Sequence, residues 1–135
     1  MVTALAGLVA LGGVGTAQAA EPGPQHAVTC KWDNSVNAPW SVDAEEVRGF
    51  VRVLCSDSLD DANTRAQVQV LDGAQWFSRG EGVTSYSTAK TIHVNDSTTK
   101  QAGTCLYRTV GTHYGQHGNI WALPTFYSNT RYLAG

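Results

Sequence analysis

The two histidines His113 and His117 come closest in this sequence to a metal-binding pattern. On a helix, their i, i+4 spacing would place both imidazoles on one side, as in the zinc proteases. Gly115 and Gly118 instead indicate a loop, and Tyr114 occupies the position where the zinc-protease pattern requires Glu. The same segment contains no Cys, Asp or Glu as a third ligand. We therefore predict that both histidines lie in an exposed loop, and that the chain holds no metal ion or other cofactor.

Hydrolytic catalysis also lacks a complete set of residues. A serine nucleophile needs a histidine base and an orienting acid, and the Gly-x-Ser-x-Gly motif that exposes such a serine is absent. Paired carboxylates for glycoside hydrolysis would have to come from separate loops, for example Glu81 with Asp57. Asp57, Asp60 and Asp61 lack the regular alternation and the closing Glu of a calcium-binding loop. We therefore predict that the protein is not an enzyme, and a secreted hydrolase or hydrolase inhibitor ranks last among the alternatives.

Three cysteines, Cys30, Cys55 and Cys105, allow three single disulfide bonds, and each of these leaves one thiol over. Cys55 and Cys105 both lie at the ends of strand-like runs, so we predict a bond between them. Such a bond would stabilise the domain by roughly 4 kcal/mol in the loop-entropy model. Cys30 is then available for a bond to a second chain. A buried thiol at Cys30, or a Cys30–Cys55 bond in place of the predicted one, is the alternative.

The first 26 residues have the composition of a targeting sequence followed by a linker. Residues 1–19 carry no charge, and their apolar run ends in Ala17-Gln18-Ala19, which is typical of a secretory signal peptide and its cleavage site. Residues 20–26 contain Pro22 and Pro24 around a glycine, which predicts a flexible, extended leader. No apolar run approaches the roughly 20 residues that cross a bilayer. We predict a secreted, extracellular protein that does not insert into a membrane.

Strand signals dominate residues 27–135, which we predict to form one domain. Apolar and polar side chains alternate over residues 47–55, with Arg48 and Arg52 on the face opposite the valines. The dipeptide Asp72-Gly73 between two apolar runs predicts a two-residue hairpin turn. Short strands between turn signals, with no long helix, predict an all-β fold, either a single antiparallel β-sandwich or an open barrel.

Local features qualify this pattern at four places. Asp43 and Glu46 have capping-box spacing and predict one helical turn over residues 41–46. Residues 56–63 and 96–103 are polar and predict loops. Gly111, Gly115 and Gly118 predict that the strand beginning near Cys105 is broken around His113.

The charge is divided unevenly between the two halves of the mature chain. Residues 20–75 carry nine acidic and four basic side chains, whereas residues 76–135 carry two acidic and five basic ones. No carboxylate side chain follows Asp96, yet the aromatic content there is high. Five basic side chains are too few to neutralise phosphates along a groove, so we predict no nucleic-acid partner. The aromatics Trp121, Phe126 and Tyr127 are the candidate ligand-facing residues.

The segment Gly103-Thr104-Cys105-Leu106-Tyr107-Arg108-Thr109, followed by Gly111 and His113, resembles small secreted proteins of actinobacteria. The Ala/Gly/Val-rich signal peptide and the Ser/Thr-rich strands resemble the same group. Within it, the connector subunits of secreted toxin particles are one kind of similar protein. The resemblance implies a small β-rich extracellular protein, and it carries over no binding residue.

These observations favour a secreted, non-catalytic β-sandwich module that binds another macromolecule. A protein partner is our first hypothesis, with the module as an accessory subunit of an extracellular assembly. The leader residues Pro22 and Pro24, together with Cys30, are the candidate partner contacts, and strand addition at an exposed sheet edge is the candidate mode. The alternative is a carbohydrate- or cell-wall-binding module that uses the exposed aromatics.

Overall fold

The structure is a computed structural model, which describes residues 27–135. The predicted signal peptide and the predicted leader with Pro22 and Pro24 lie outside these residues. The described residues form eleven strands, and no helix among them is long and apolar enough to cross a membrane. In chain order the strands are β1 (Cys30–Trp32), β2 (Trp40–Ser41), β3 (Glu46–Cys55), β4 (Asp61–Asp72), β5 (Gln75–Ser78), β6 (Val83–Ser85), β7 (Thr91–Thr99), β8 (Thr104–His117), β9 (Asn119–Ala122), β10 (Phe126–Tyr127) and β11 (Arg131–Ala134).

All strand pairs are antiparallel, and they form two sheets. In the four-stranded sheet, β7 lies along one side of β3 and the short strands β1 and β2 lie along the other. In the seven-stranded sheet, β4 and β8 form the centre. Strands β5 and β6 pair with the outer edge of β4, and β9, β10 and β11 pair with the outer edge of β8. The large sheet curls like half a barrel, and the predicted all-β fold is confirmed.

The core lies between the two sheets, as strand alternation predicts. Val47, Val51 and Val53 of β3 are fully buried, and Arg48 and Arg52 lie on the opposite face of the strand. Each fully buried valine of this kind contributes about 1.5–3 kcal/mol relative to an exposed one. The outward arginines are ordered by neighbours on the surface: Arg52 forms an ion pair with Asp33 at 2.9 Å.

The predicted break in the chain around His113 is wrong, because β8 runs without interruption from Thr104 to His117. Its glycines face the core and leave space for large rings. A Cβ atom on Gly111 would lie 2.9 Å from Trp32 Cη2, and one on Gly115 would lie 2.7 Å from Trp121 Cζ2. These positions therefore need glycine for side-chain packing, and the strand continues through them.

The hairpin after β4 is confirmed, with its turn one residue further along than the dipeptide predicts. Asp72 pairs with Gln75, so the two turn residues are Gly73 and Ala74, and Gly73 has a φ of 65°. A glycine accepts this left-handed conformation without a Cβ clash.

The predicted helical turn over residues 41–46 is wrong. The Asp43 carboxylate accepts hydrogen bonds from the backbone N–H groups of Glu45 and Glu46, both at 2.8 Å, and the chain enters β3 directly from this turn. Side-chain bonds of this kind satisfy the backbone in a turn as readily as at a helix start. The predicted loops are also shorter than expected, since β4 already begins at Asp61 and β7 extends to Thr99.

The disulfide bond joins Cys30 to Cys55, so the predicted Cys55–Cys105 bond is wrong. Cys30 and Cys55 are cross-strand partners on β1 and β3, with Cα atoms 4.1 Å apart. Cys105 lies on β8 in the other sheet and packs against a different core cluster, beside Leu133, with a free thiol. The intramolecular bond also removes Cys30 as a candidate for a bond to a second chain.

Candidate functional site

Two of the three aromatics predicted to face a ligand lie on the inner side of the large sheet. Trp121 pairs with Gly115 and Phe126 pairs with Gly111, and both glycines face the core. The rings fill the space that the glycines leave and pack against the core cluster. Trp121 and Phe126 are therefore half-buried against the core, and their predicted role as ligand-facing residues stays a prediction. Tyr127, the third, is exposed on the outer face.

A groove of about 320 Å³ opens on the outer face of the large sheet, where β4 begins and β8 ends. We call it the tyrosine groove. Its side chains come from β4, β8, β9 and the segment after β6, which are neighbours in this sheet. The side chains that line it are Asp61, Asn63, Tyr86, Tyr114, Gln116 and Ile120.

Strand register explains how these side chains meet. Asp61 pairs with Gln116, which also pairs with Ile120, and Asn63 pairs with Tyr114. The residues between them, such as Ala62, are buried beneath the sheet, so the lining side chains point outward together. Two cross-strand rows on three strands thus form the floor of the groove.

Aromatic and apolar surface flanks this floor on both sides. Tyr86 is 71% exposed and follows β6 on the β4 side of the sheet, while Ile120 is 74% exposed on β9 at the other side. Tyr114 is 56% exposed on β8 between them. Large side chains that remain this accessible on a well-ordered sheet are typical of binding surfaces.

The polar groups of the groove have unused hydrogen-bonding capacity. Within the described chain, no hydrogen bond engages the side-chain amides of Asn63 and Gln116 or the hydroxyls of Tyr86 and Tyr114. Asp61 accepts one bond, from the backbone N–H of Ala62 at 2.9 Å. The groove therefore presents donors and acceptors next to aromatic surface, with Asp61 as the charged group in its lining.

A buried histidine supports the groove from below. His113 is 1% exposed, and its Nδ1 lies 2.7 Å from the Thr64 hydroxyl oxygen. Burial lowers the pKa of His113, which favours the neutral imidazole. Its Nε2 has no hydrogen-bond partner within residues 27–135 and would lie 3.0 Å from a Cβ atom on Gly115, which lines the groove. The prediction that His113 lies in an exposed loop is wrong, because it occupies an inward position of β8.

The other residues considered for metal binding and hydrolysis have structural partners of their own. His117 lies four residues along β8 from His113, and among the described residues no three His, Cys, Asp or Glu side chains form a metal-binding group. The Asp57 carboxylate accepts the backbone N–H of Ser58, and that of Asp60 accepts the N–H of Gly118. Asp57 therefore caps its own turn, and Asp60 holds the turn between β8 and β9.

No family model, no curated protein and no solved structure matches this chain. The internal disulfide is compatible with an extracellular protein.

Proposed function

We propose that this protein is a secreted, non-catalytic carbohydrate-binding module, and that its sugar site is the tyrosine groove. One observation carries the proposal: two exposed tyrosines, Tyr86 and Tyr114, share a concave surface with free amide groups and one carboxylate. A sugar ring presents C–H groups on its faces and hydroxyls around its edge. Aromatic rings pack against the faces, and amides and carboxylates exchange hydrogen bonds with the hydroxyls.

The charge of the groove favours a neutral or weakly basic glycan over other polymers. No lysine or arginine belongs to the lining residues, and Asp61 gives the site a negative charge. Phosphate-bearing ligands need several cations in contact with them, so nucleic acids and teichoic-acid phosphates are poor candidates. The groove is open along the sheet surface, which suits an internal stretch of a polymer. Asp61 is the one carboxylate in this lining, so the paired acids of a glycosidase are not part of the proposal.

The leader-mediated protein contact of our first hypothesis has less support. Pro22 and Pro24 lie outside the described residues, and Cys30 is bonded within the chain. Most edge strands are short, and at the end of the long edge strand β7 Arg79 donates hydrogen bonds to the carbonyls of Thr99 and Lys100. Short or covered edges disfavour strand addition.

Retention on insoluble glycans tests the proposed function. We expect the protein to bind at least one of cellulose, chitin, xylan and peptidoglycan, and we expect Tyr114→Ala and Tyr86→Ala each to weaken binding by about tenfold. The matched control is Tyr132→Ala, because Tyr132 is 69% exposed on the same sheet but lies on β11, outside the groove.

The control should bind as the unmodified protein does. Retention on none of these polymers would contradict the proposal. Equal losses from Tyr132→Ala and Tyr114→Ala would place the binding surface elsewhere.

A further inference from the structure

A second cluster on the outer face of the large sheet is built around Arg108. Its guanidinium carbon lies 4.2 Å from the centre of the Trp76 ring and 4.5 Å from that of Tyr127, so the group is held between two aromatic side chains. Its Nε donates a hydrogen bond to the Gln69 amide oxygen at 2.8 Å. These contacts come from β4, β5 and β10, and they fix the position and the plane of the guanidinium. We call these four residues the arginine clamp.

The outer edge of this guanidinium has no partner within residues 27–135. Among the described residues, no hydrogen bond reaches Nη1 or Nη2 of Arg108, no carboxylate forms an ion pair with it, and neither atom is sealed from solvent. The charge is therefore ordered without a counter-ion. An anion that binds here does not have to immobilise a long side chain first, and a carboxylate can accept two parallel N–H bonds.

The surroundings of the clamp indicate what kind of anion it fits. Leu106 and Val110 lie on the same face of β8 on either side of Arg108, and the exposed Tyr132 pairs with Leu106. The clamp residues Arg108 and Tyr127 lie in the part of the chain after Asp96, which contains no carboxylate side chain. A single cation within an apolar and aromatic surround is unlike the multiple cations that hold a phosphate polymer. It matches the arginine, tryptophan and tyrosine clusters at the centres of protein interfaces.

We propose that the arginine clamp is a protein-docking site, and that it takes an exposed Asp or Glu of a partner protein whose neighbouring residues are apolar. The carboxylate bonds to Nη1 and Nη2, and the apolar residues around it cover Trp76, Tyr127 and Leu106. Arg108 lies six residues from Tyr114 along β8, about 20 Å away, so a glycan in the tyrosine groove and a protein at the clamp do not share contacts.

A peptide titration followed through the Arg108 Nε–H signal in ¹⁵N-correlated NMR spectra tests this proposal. The probe is a capped hexapeptide with one central Glu between Phe and Leu, and the matched probe carries Gln in place of Glu. We expect saturable shifts with the Glu peptide and at least threefold weaker binding of the Gln peptide. Arg108→Lys keeps the charge but loses the planar fork, and should weaken binding of the Glu peptide about tenfold, as followed through the Trp76 indole N–H signal that both proteins share.

Two control variants distinguish the clamp from the groove and from a general effect of surface charge. Arg131→Gln removes an exposed arginine from β11 and should leave peptide binding unchanged. Arg108→Gln should leave glycan retention unchanged, so that failure of the clamp and failure of the groove are distinguishable. Equal binding of the Glu and Gln peptides would overturn the proposal. If inorganic phosphate or acetate binds as tightly as the Glu peptide, the clamp is a general anion site and the proposal is overturned. If the protein dimerises in sedimentation runs and Arg108→Gln prevents this, the clamp's partner is a second copy of this protein.

Discussion

Loss of the Cys30–Cys55 bond should destabilise the domain, chiefly because the unfolded chain gains conformational entropy when the loop is opened. The two cysteines are 25 residues apart in sequence, and closure of a loop of that size lowers the entropy of the unfolded chain by the equivalent of about 3.5 kcal/mol at 25 °C. Both cysteines also pack against the larger core cluster. A Cys30→Ala/Cys55→Ala variant should therefore lose about 3–5 kcal/mol, a large share of the 5–15 kcal/mol that a typical domain has.

Urea unfolding of the protein measures this loss. With a slope of about 2 kcal/mol/M, the midpoint should fall by roughly 2 M in the double variant, and reduction of the unmodified protein should produce a similar shift. Cys105→Ala is the control and should cost about 1 kcal/mol or less, because its thiol is free and only half-buried. Alkylation of the folded, unreduced protein should label Cys105 alone. A midpoint that does not move on reduction, or a larger loss from Cys105→Ala than from the double variant, would refute the pairing and the reasoning from it.

Three further perturbations test the packing beneath the two surfaces. Burial lowers the pKa of His113, so the folded protein holds a proton on this residue less tightly than the unfolded chain does. The free energy of unfolding should therefore stay constant above about pH 6.5 and fall as the pH drops below it. A His113→Gln variant should lose this slope in urea titrations between pH 5 and 8. Gly111→Ala should cost about 1–3 kcal/mol in the same assay because its methyl group meets the Trp32 ring, and a neutral result would contradict the packing role given to this glycine. The Asp96 carboxylate accepts a hydrogen bond from the buried backbone N–H of Val68 at 2.8 Å, so Asp96→Ala leaves that N–H unbonded and should cost about 1–3 kcal/mol of unfolding free energy. Asp96→Asn keeps an acceptor and should cost less. Equal losses from the two variants would show that this hydrogen bond is not the cause.

Much of the fold follows from alternation along single strands. In β3 the inward valines are buried and the outward arginines are not, and burial alternates from Glu46 to Leu54. The hairpin after β4 follows from a glycine with positive φ, displaced by one residue because the strand pairing extends to Asp72. The sequence predicts strand alternation and the hairpin turn because each depends on residues that are close together in the chain.

The predictions that are wrong concern features that depend on residues far apart in the sequence. Gly111 and Gly115 look like chain breaks until Trp32 and Trp121, which pack over them, are placed by other strands. The cysteine pairing depends on β1 lying beside β3, which nothing in the spacing of the cysteines reveals.

The tyrosine groove does not follow from the sequence, because its residues meet only through strand pairing. Tyr114 and Gln116 alternate with Gly115 as in a strand, but the glycines favoured a loop, and the pairing with Asp61 and Asn63 becomes visible only in the sheet register. The sequence does predict a surface rich in aromatics in its final third. Of the three residues singled out, Trp121 and Phe126 face inward and Tyr127 faces outward, because the face of a short edge strand depends on its partner.

The most direct test of the glycan proposal is to map where a soluble sugar binds. Oligosaccharides prepared from whichever polymer retains the protein would be titrated into ¹⁵N-labelled protein, and the backbone amide shifts recorded. We expect saturable shifts at Asn63, Gly115 and Gln116, with Tyr132 unaffected, and a Tyr114→Ala variant that binds about tenfold more weakly. Saturable shifts confined to the surface around Tyr127 and Tyr132, with the groove amides unmoved, would contradict the glycan proposal.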